Sequence, residues 1–402
     1  MVLLLQKNKL TSVTIPNSII TIEKAGFSEN QLENIKFEEP YHITTIGGFG
    51  KNNLTSVIIP NSVTTIGNYA FLKNKLKTIT IPNSVTTIGD YAFSKNQLGT
   101  IKFEEPCLTT TIEKYAFYKN NLKTVIIPNS VTRIEYNAFS ENQLETIKFE
   151  EPCLITTIDT RAFYKNKLTS VTIPKSVTII GYNSFCENNL TSLIIPNSVT
   201  TIQESAFSDN QLETIKFEEP CLITTIDKYA FHKNNLKTVT IPKSVTTIGH
   251  GAFQNNKLKA IIIPKSVTSI DELAFYDNRL ETIIIPATVT TIGKNAFSHN
   301  KLDMLFFAQD CLITDINEDA FSYNNLRKLI LPKCVTTIHK NAFSNNKELG
   351  SVYIPNTVTS IYKESFSRNP KIHTLTIPEI FRNNINEIFE NANNINFTFI
   401  KN

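Results

Sequence analysis

The 402-residue chain contains no run of about 18 apolar residues, so no transmembrane helix and no membrane insertion are expected. Charge of one sign is missing too. Forty Lys and Arg intermix with 36 Asp and Glu, and the net charge of +4 makes no field that would gather nucleic acid. The signatures of common catalytic sites are absent: there is no G-x-S-x-G, H-E-x-x-H, phosphate-binding loop or G-x-G-x-x-G. The six histidines (His42, His232, His250, His299, His339 and His373) do not share a sequence context that would gather them into one site. Neither enzymatic activity nor a cofactor is expected. The opening, MVLLLQKNKL, is too short for a secretory signal and has no cleavage region.

Cysteine is sparse, and no C-x-x-C occurs, which argues against metal and redox roles. Cys107, Cys153, Cys221 and Cys311 share one sequence context, while Cys186 and Cys334 stand apart. The four related cysteines are too far apart along the chain for disulfides between them. All six are therefore expected as free thiols in small apolar sites.

What the chain has is repetition. The segment Leu54–Lys75, LTSVIIPNSVTTIGNYAFLKNK, recurs almost throughout. Its closing Phe returns from Phe27 to Phe366 at spacings of 22 residues, with 24 at four places and 23 at the last. Such a period marks a solenoid, in which each unit buries its apolar face only against its neighbours. Sixteen repeats open at leucines from Leu10 to Leu349. After each leucine, alternating Val, Ile and Thr predict a short strand, with Val57 and Ile59 pointing in and Ser56 and Ile58 out. Proline ends the strand because it lacks the N–H a ladder needs. The S-V-T-T-I segment should return as short extended structure, and A-F should close the coil in a helical turn or similar bend. Strands one repeat apart should pair in parallel. An asparagine three past each Phe, such as Asn74 or Asn96, carries donors and acceptors suited to a buried ladder closing the turn.

Five repeats depart together. Four replace I-P-x-S with Phe-Glu-Glu-Pro, as at Phe37–Pro40 and Phe217–Pro220, and a fifth has Phe307-Ala308-Gln309-Asp310. Adjacent carboxylates at a strand end point apart, so these read as solvated acidic bulges and not as a metal site. At the start, residues 1–9 align with the second half of a coil, which reads as a chain cut from a longer protein or lacking its leader. Residues 372–402 read as a degenerate last coil or cap: Ile372, Leu375 and Ile377 begin a strand, Ile385, Ile388 and Phe389 share a helical face, and Phe397 and Phe399 suit a final partial strand. The expected organisation is thus 1–9, sixteen repeats over 10–371, and 372–402.

The unit LTSVTIPxSVTTIGxxAFxxN resembles the BspA-like, Treponema-type leucine-rich repeat family, from about Leu3 to Ile377. The resemblance implies an α/β-type repeat solenoid with little helix, a right-handed curved stack with a parallel β-sheet on its concave face. It also implies a surface or secreted protein that binds host matrix proteins, other cells or other proteins. The family often has cysteine where this chain has the turn asparagine.

On the expected concave face, the residue four past each opening Leu points outward. It is mixed early (Thr14, Lys36, Ile58, Thr80, Lys102) and becomes Ile262, Ile284, Phe306, Ile330 and Tyr353 on five successive coils. With Met304, Arg327 and Lys328 alongside, this stripe is the expected contact surface for a protein or glycoprotein. An intracellular, cytoplasmic scaffold is the alternative. A water-ordering face built on Thr78/Thr80 and Thr238/Thr240 is a remote third, because Lys36, Lys102, Lys148 and Lys216 interrupt the column. Exposed strand edges at the ends also allow an end-to-end dimer.

Overall fold

A computed structural model describes residues 5–389 and 392–401, so of the opening partial coil residues 1–4 lie outside the described part. The chain divides into two compact units, Met1–Val199 and Thr200–Asn402, each a stack of similar coils of parallel strand with almost no helix.

One coil of the second unit shows how sequence becomes structure. Leu280 is buried and Thr282–Ile285 is a strand in which Ile283 and Ile285 are buried while Ile284 is exposed. Alternation of this kind follows from the two-residue period of a strand. Pro286 ends it, Thr291–Ile292 forms a two-residue strand, and Ala296–Phe297 lies fully inside. The returning segment is the most regular part of the fold. In the first unit, eight such strands pair in succession from Thr21–Ile22 to Ile179–Ile180. In the second, Thr225–Ile226, Thr247–Ile248, Ser269–Ile270 and Thr291–Ile292 do the same.

The closing phenylalanines stack in parallel. Ring centroids of neighbours are 5.2–5.9 Å apart from Phe27 to Phe185. They are 4.9–5.8 Å apart from Phe207 to Phe389. The expected turn at A-F is a bend, with residues two before and two after the Phe in the left-handed region, as at Leu273 (φ 58°) and Asp277 (φ 52°) around Phe275. The asparagines do form the expected buried ladder. Asn278 accepts from Leu258 N–H at 3.1 Å and donates to the carbonyls of Phe253 and Phe275 at 2.9 and 3.2 Å. Each asparagine therefore ties its own turn to the preceding coil.

The longer strands pair less regularly. In the first unit, Ser12–Ile15 pairs with Asn34–Phe37, Thr78–Ile81 with Thr100–Phe103, and Thr124–Ile127 with Thr146–Phe149. In the second, Thr282–Ile285 pairs with Met304–Phe307. Each of these ladders ends on a Phe-terminated strand. Lys328–Ile330, Ser351–Tyr353, Thr374–Pro378 and Asn396–Ile400 then form a separate four-stranded sheet. Between Thr374–Pro378 and Asn396–Ile400 lie a 3-10 helix, Glu379–Asn384, and one helical turn, Ile385–Ile388, where the sequence indicates a helical face.

One expectation fails. Cys311 and Cys334 form a disulfide with Cα atoms 6.4 Å apart, so not all six cysteines are free thiols. The separation argument holds for the four cysteines that share a context. It does not hold for Cys334, which stands in the coil next to Cys311, where stacking brings the pair within reach. Cys107, Cys153, Cys186 and Cys221 are in no disulfide, and of these only Cys186 is buried.

Candidate functional site

The outward residues of the second unit sit at the same phase of successive coils, and parallel register pairs them in three short ladders. Thr240 bridges Ile262, Ile284 pairs with Phe306, and Ile330 with Tyr353, which in turn pairs with Thr376. All five apolar members are exposed, from 84% for Ile262 and 59% for Ile284 to 38% for Tyr353. A strand alternates faces, so their neighbours Ile283, Leu305, Leu329 and Val352 fill the core and leave these side chains outside.

The column is not flat. Where the ladder stops after Met304–Phe307, a groove of about 620 Å³ opens toward the next coil. Met304, Phe306, Arg327, Lys328 and Ile330 line it with Asp303, Phe307 and Pro332, so five of the eight expected contact residues share one depression. Ile284 borders it through its cross-strand pairing with Phe306, and Tyr353 through Ile330. Ile262 belongs to a second groove, of about 520 Å³, with Thr240, Lys243, Lys265 and Glu219. Arg327 also feels the Glu348 carboxylate, which Lys371 Nζ at 2.6 Å holds below the ordinary carboxylate range.

Sequence reading passed over two features. In the first unit, a groove of about 650 Å³ follows Asn34–Phe37, lined by Lys36, Glu38, Tyr41 and the 85% exposed Ile58. The available signal was a Phe-Glu-Glu-Pro strand followed by a coil with an outward Ile. The second feature is Leu108, Leu154, Leu222 and Leu312, each next to the cysteine of a longer repeat and each exposed. The bulges are therefore half apolar and not purely acidic. Among the described residues the histidines pair locally along the turns: His232 meets Ser208 Oγ at 3.2 Å, His250 the Tyr229 hydroxyl at 2.6 Å, and His339 Asp315 at 3.0 Å.

A family model describing the BspA type leucine-rich repeat region, in six copies, matches residues 4–109, 110–223, 224–328 and 314–402. The chain belongs to this family. Repeats of the BspA type commonly serve as protein-interaction or adhesion modules and are generally non-enzymatic. Among solved structures, a leucine-rich repeat protein from Bacteroides ovatus is similar with a TM-score of 0.55 and 21% identity, over 97% of this chain and 92% of its own. The pneumococcal vaccine antigen PcpA is similar with a TM-score of 0.50 and 19% identity, over 98% and 92%. A leucine rich cell surface protein from Faecalibacterium prausnitzii is 22% identical over 77% and 88%, with a TM-score of 0.42. At these identities the first two show the fold alone. No curated protein matches the chain. No helix among the described residues is long and apolar enough to cross a membrane.

Proposed function

We propose that this BspA-type protein is a non-enzymatic binding module that presents the strand face of its Thr200–Asn402 unit to a protein or glycoprotein partner. The observation that carries the reading is the exposed column from Ile262 to Tyr353 and the groove beneath Phe306 and Ile330. Contiguous apolar surface with an aromatic and an Arg at its centre is the composition of binding hot spots. The fold has no need of these side chains, because its core lies on the opposite face of the same strands.

A surface or secreted location fits better than a cytoplasmic one. The Cys311–Cys334 disulfide persists in oxidising compartments and is reduced by cytosolic thiol systems. The test is binding of the purified chain to a panel of matrix and cell-surface glycoproteins, repeated with the double variant Phe306→Ser/Tyr353→Ser. Losing two apolar anchors should weaken capture about 100-fold or more, with the melting temperature nearly unchanged. A partner bound equally well by the double variant refutes the site.

A further inference from the structure

The two apolar grooves described above share one chemistry, and their spacing follows the stack. Apolar floors meet two cations and one carboxylate in each: Lys243, Lys265 and Glu219 around Ile262, and Arg327, Lys328 and Asp303 around Phe306 and Ile330. Among the described residues Lys243, Lys265 and Lys328 stand in no ion pair, so both grooves keep an unspent positive charge. Ile284 and Phe306 make the surface between them continuous and apolar.

We infer that the segment seated here is an acidic, extended peptide that places two large apolar side chains four residues apart, one in each groove. This rests on the binding-module reading above and adds the chemistry of the ligand. Ile262 and Ile330 are three coils apart, at least about 14 Å at roughly 4.8 Å per paired coil, with only the Ile284–Phe306 step paired and the outward side chains covering the remainder. An extended chain rises about 3.3 Å per residue, so residues i and i+4 span about 13 Å. An even separation also points both side chains to the same face. The peptide runs across the strands, along the stack, so side chains and not backbone pairing hold it. Its carboxylates meet Lys243, Lys265 and Lys328, and a basic peptide of the same shape is repelled.

The probes are fluorescein-labelled ten-residue peptides in a Glu/Ser background, titrated with the full chain by fluorescence anisotropy at low salt. The peptide with Phe at i and i+4 should bind. Replacing either Phe with Ser should weaken it about tenfold or more, and so should moving the second Phe to i+2. Exchanging Glu for Lys should abolish binding, and added salt should weaken the acidic peptide. Ile262→Ser should erase the advantage of one Phe and Phe306→Ser that of the other; both positions are exposed, and circular dichroism should confirm an unchanged fold. Equal binding of the i+2, single-Phe or Lys-rich peptides overturns the inference, as does no binding by any peptide. A glycoprotein captured by the chain, lost in Phe306→Ser/Tyr353→Ser and not displaced by the i, i+4 peptide, leaves the binding surface standing and overturns the two-anchor ligand alone.

Discussion

Replacing Asn278 with Ala tests whether neighbouring coils hold each other through the buried asparagine ladder. The side chain is 6% exposed and makes four hydrogen bonds to backbone. Its loss is uneven in effect. Leu258 N–H loses the Oδ1 acceptor at 3.1 Å and is left buried without its partner. The carbonyls of Phe253 and Phe275 each lose one donor and keep another, from Asn256 at 3.1 Å and Asn300 at 2.9 Å. An orphaned buried donor costs about 1–3 kcal/mol, and a lost bond to a carbonyl that stays satisfied about 1 kcal/mol. The expected destabilisation is therefore about 4 kcal/mol.

Urea unfolding followed by far-UV circular dichroism and tyrosine fluorescence measures it, with Lys259→Ala as an exposed control expected within about 0.5 kcal/mol of the parent. Asn278→Asp sharpens the test. The carboxylate still accepts from Leu258 N–H but turns its other oxygen toward two carbonyls. It should be at least as damaging as Ala near neutral pH and recover in part on acidification, when the protonated carboxyl donates again. A loss below about 1 kcal/mol for Asn278→Ala, or no recovery of the Asp variant in acid, refutes the reasoning.

Thiol titration of the denatured chain should count four free cysteines without reductant and six with it; six without reductant removes the Cys311–Cys334 bond. Reduction, or Cys311→Ser, should lower stability by about 3 kcal/mol from loop entropy, read as a fall in urea midpoint. Ser244 holds, in the coil after Cys221, the place that Cys334 holds after Cys311, so Ser244→Cys should close a second disulfide and reduce the free-thiol count relative to its reduced form. Phe275→Ala should cost about 3–5 kcal/mol because the ring is fully buried between Phe253 and Phe297, whereas the half-exposed Phe306→Ala should cost little; similar values for both would refute the division into core and contact face. Burial pushes the His232 imidazole below its ordinary pKa, with Asp209 opposing, so the unfolded chain takes up the proton more readily. That contribution is intact above about pH 6.5 and is lost as pH falls through the lowered folded value; His232→Gln should flatten the acid limb of a melting-temperature profile, and an unaltered limb would refute it.

Periodicity made the coil legible because the residues that define it do one physical job in every copy. Phe275 stacks, Asn278 ties turns, and Pro286 ends a strand, so each recurs at its phase. The bend was less legible. Its left-handed positions hold Leu273 and Asp277 and not glycine, so no residue type announces the conformation. The disulfide escaped notice because Cys334 occurs once, in a serine's place, and a single substitution has no period. The exposed column was readable from alternation alone, since Ile284 and Phe306 occupy outward phases. The grooves were not, because they depend on which neighbouring strands pair.

That dependence places the groove beneath Phe306 and Ile330, proposed above as a binding site, where an irregular coil ends a ladder. A regular coil uses itself up: its phenylalanine, its asparagine and its inward isoleucines are all spent on the coils to either side. The strands ending in Phe37, Phe103, Phe149 and Phe307 differ, since each is the last member of a ladder. Phe307 sets its ring edge-on to Phe321 at 6.4 Å, where the regular coils place a smaller Ile or Leu. Length is not the cause, because the repeat containing Phe37 totals 22 residues and still ends its ladder. Nor is proline, because the Phe307 strand is followed by Ala308-Gln309-Asp310. The bulky aromatic at the end of the strand is the shared feature. Phe307→Ile should therefore extend pairing from Met304–Phe307 into Lys328–Ile330 and narrow the groove, weakening any ligand seated there while leaving Phe306 and Lys328 themselves untouched.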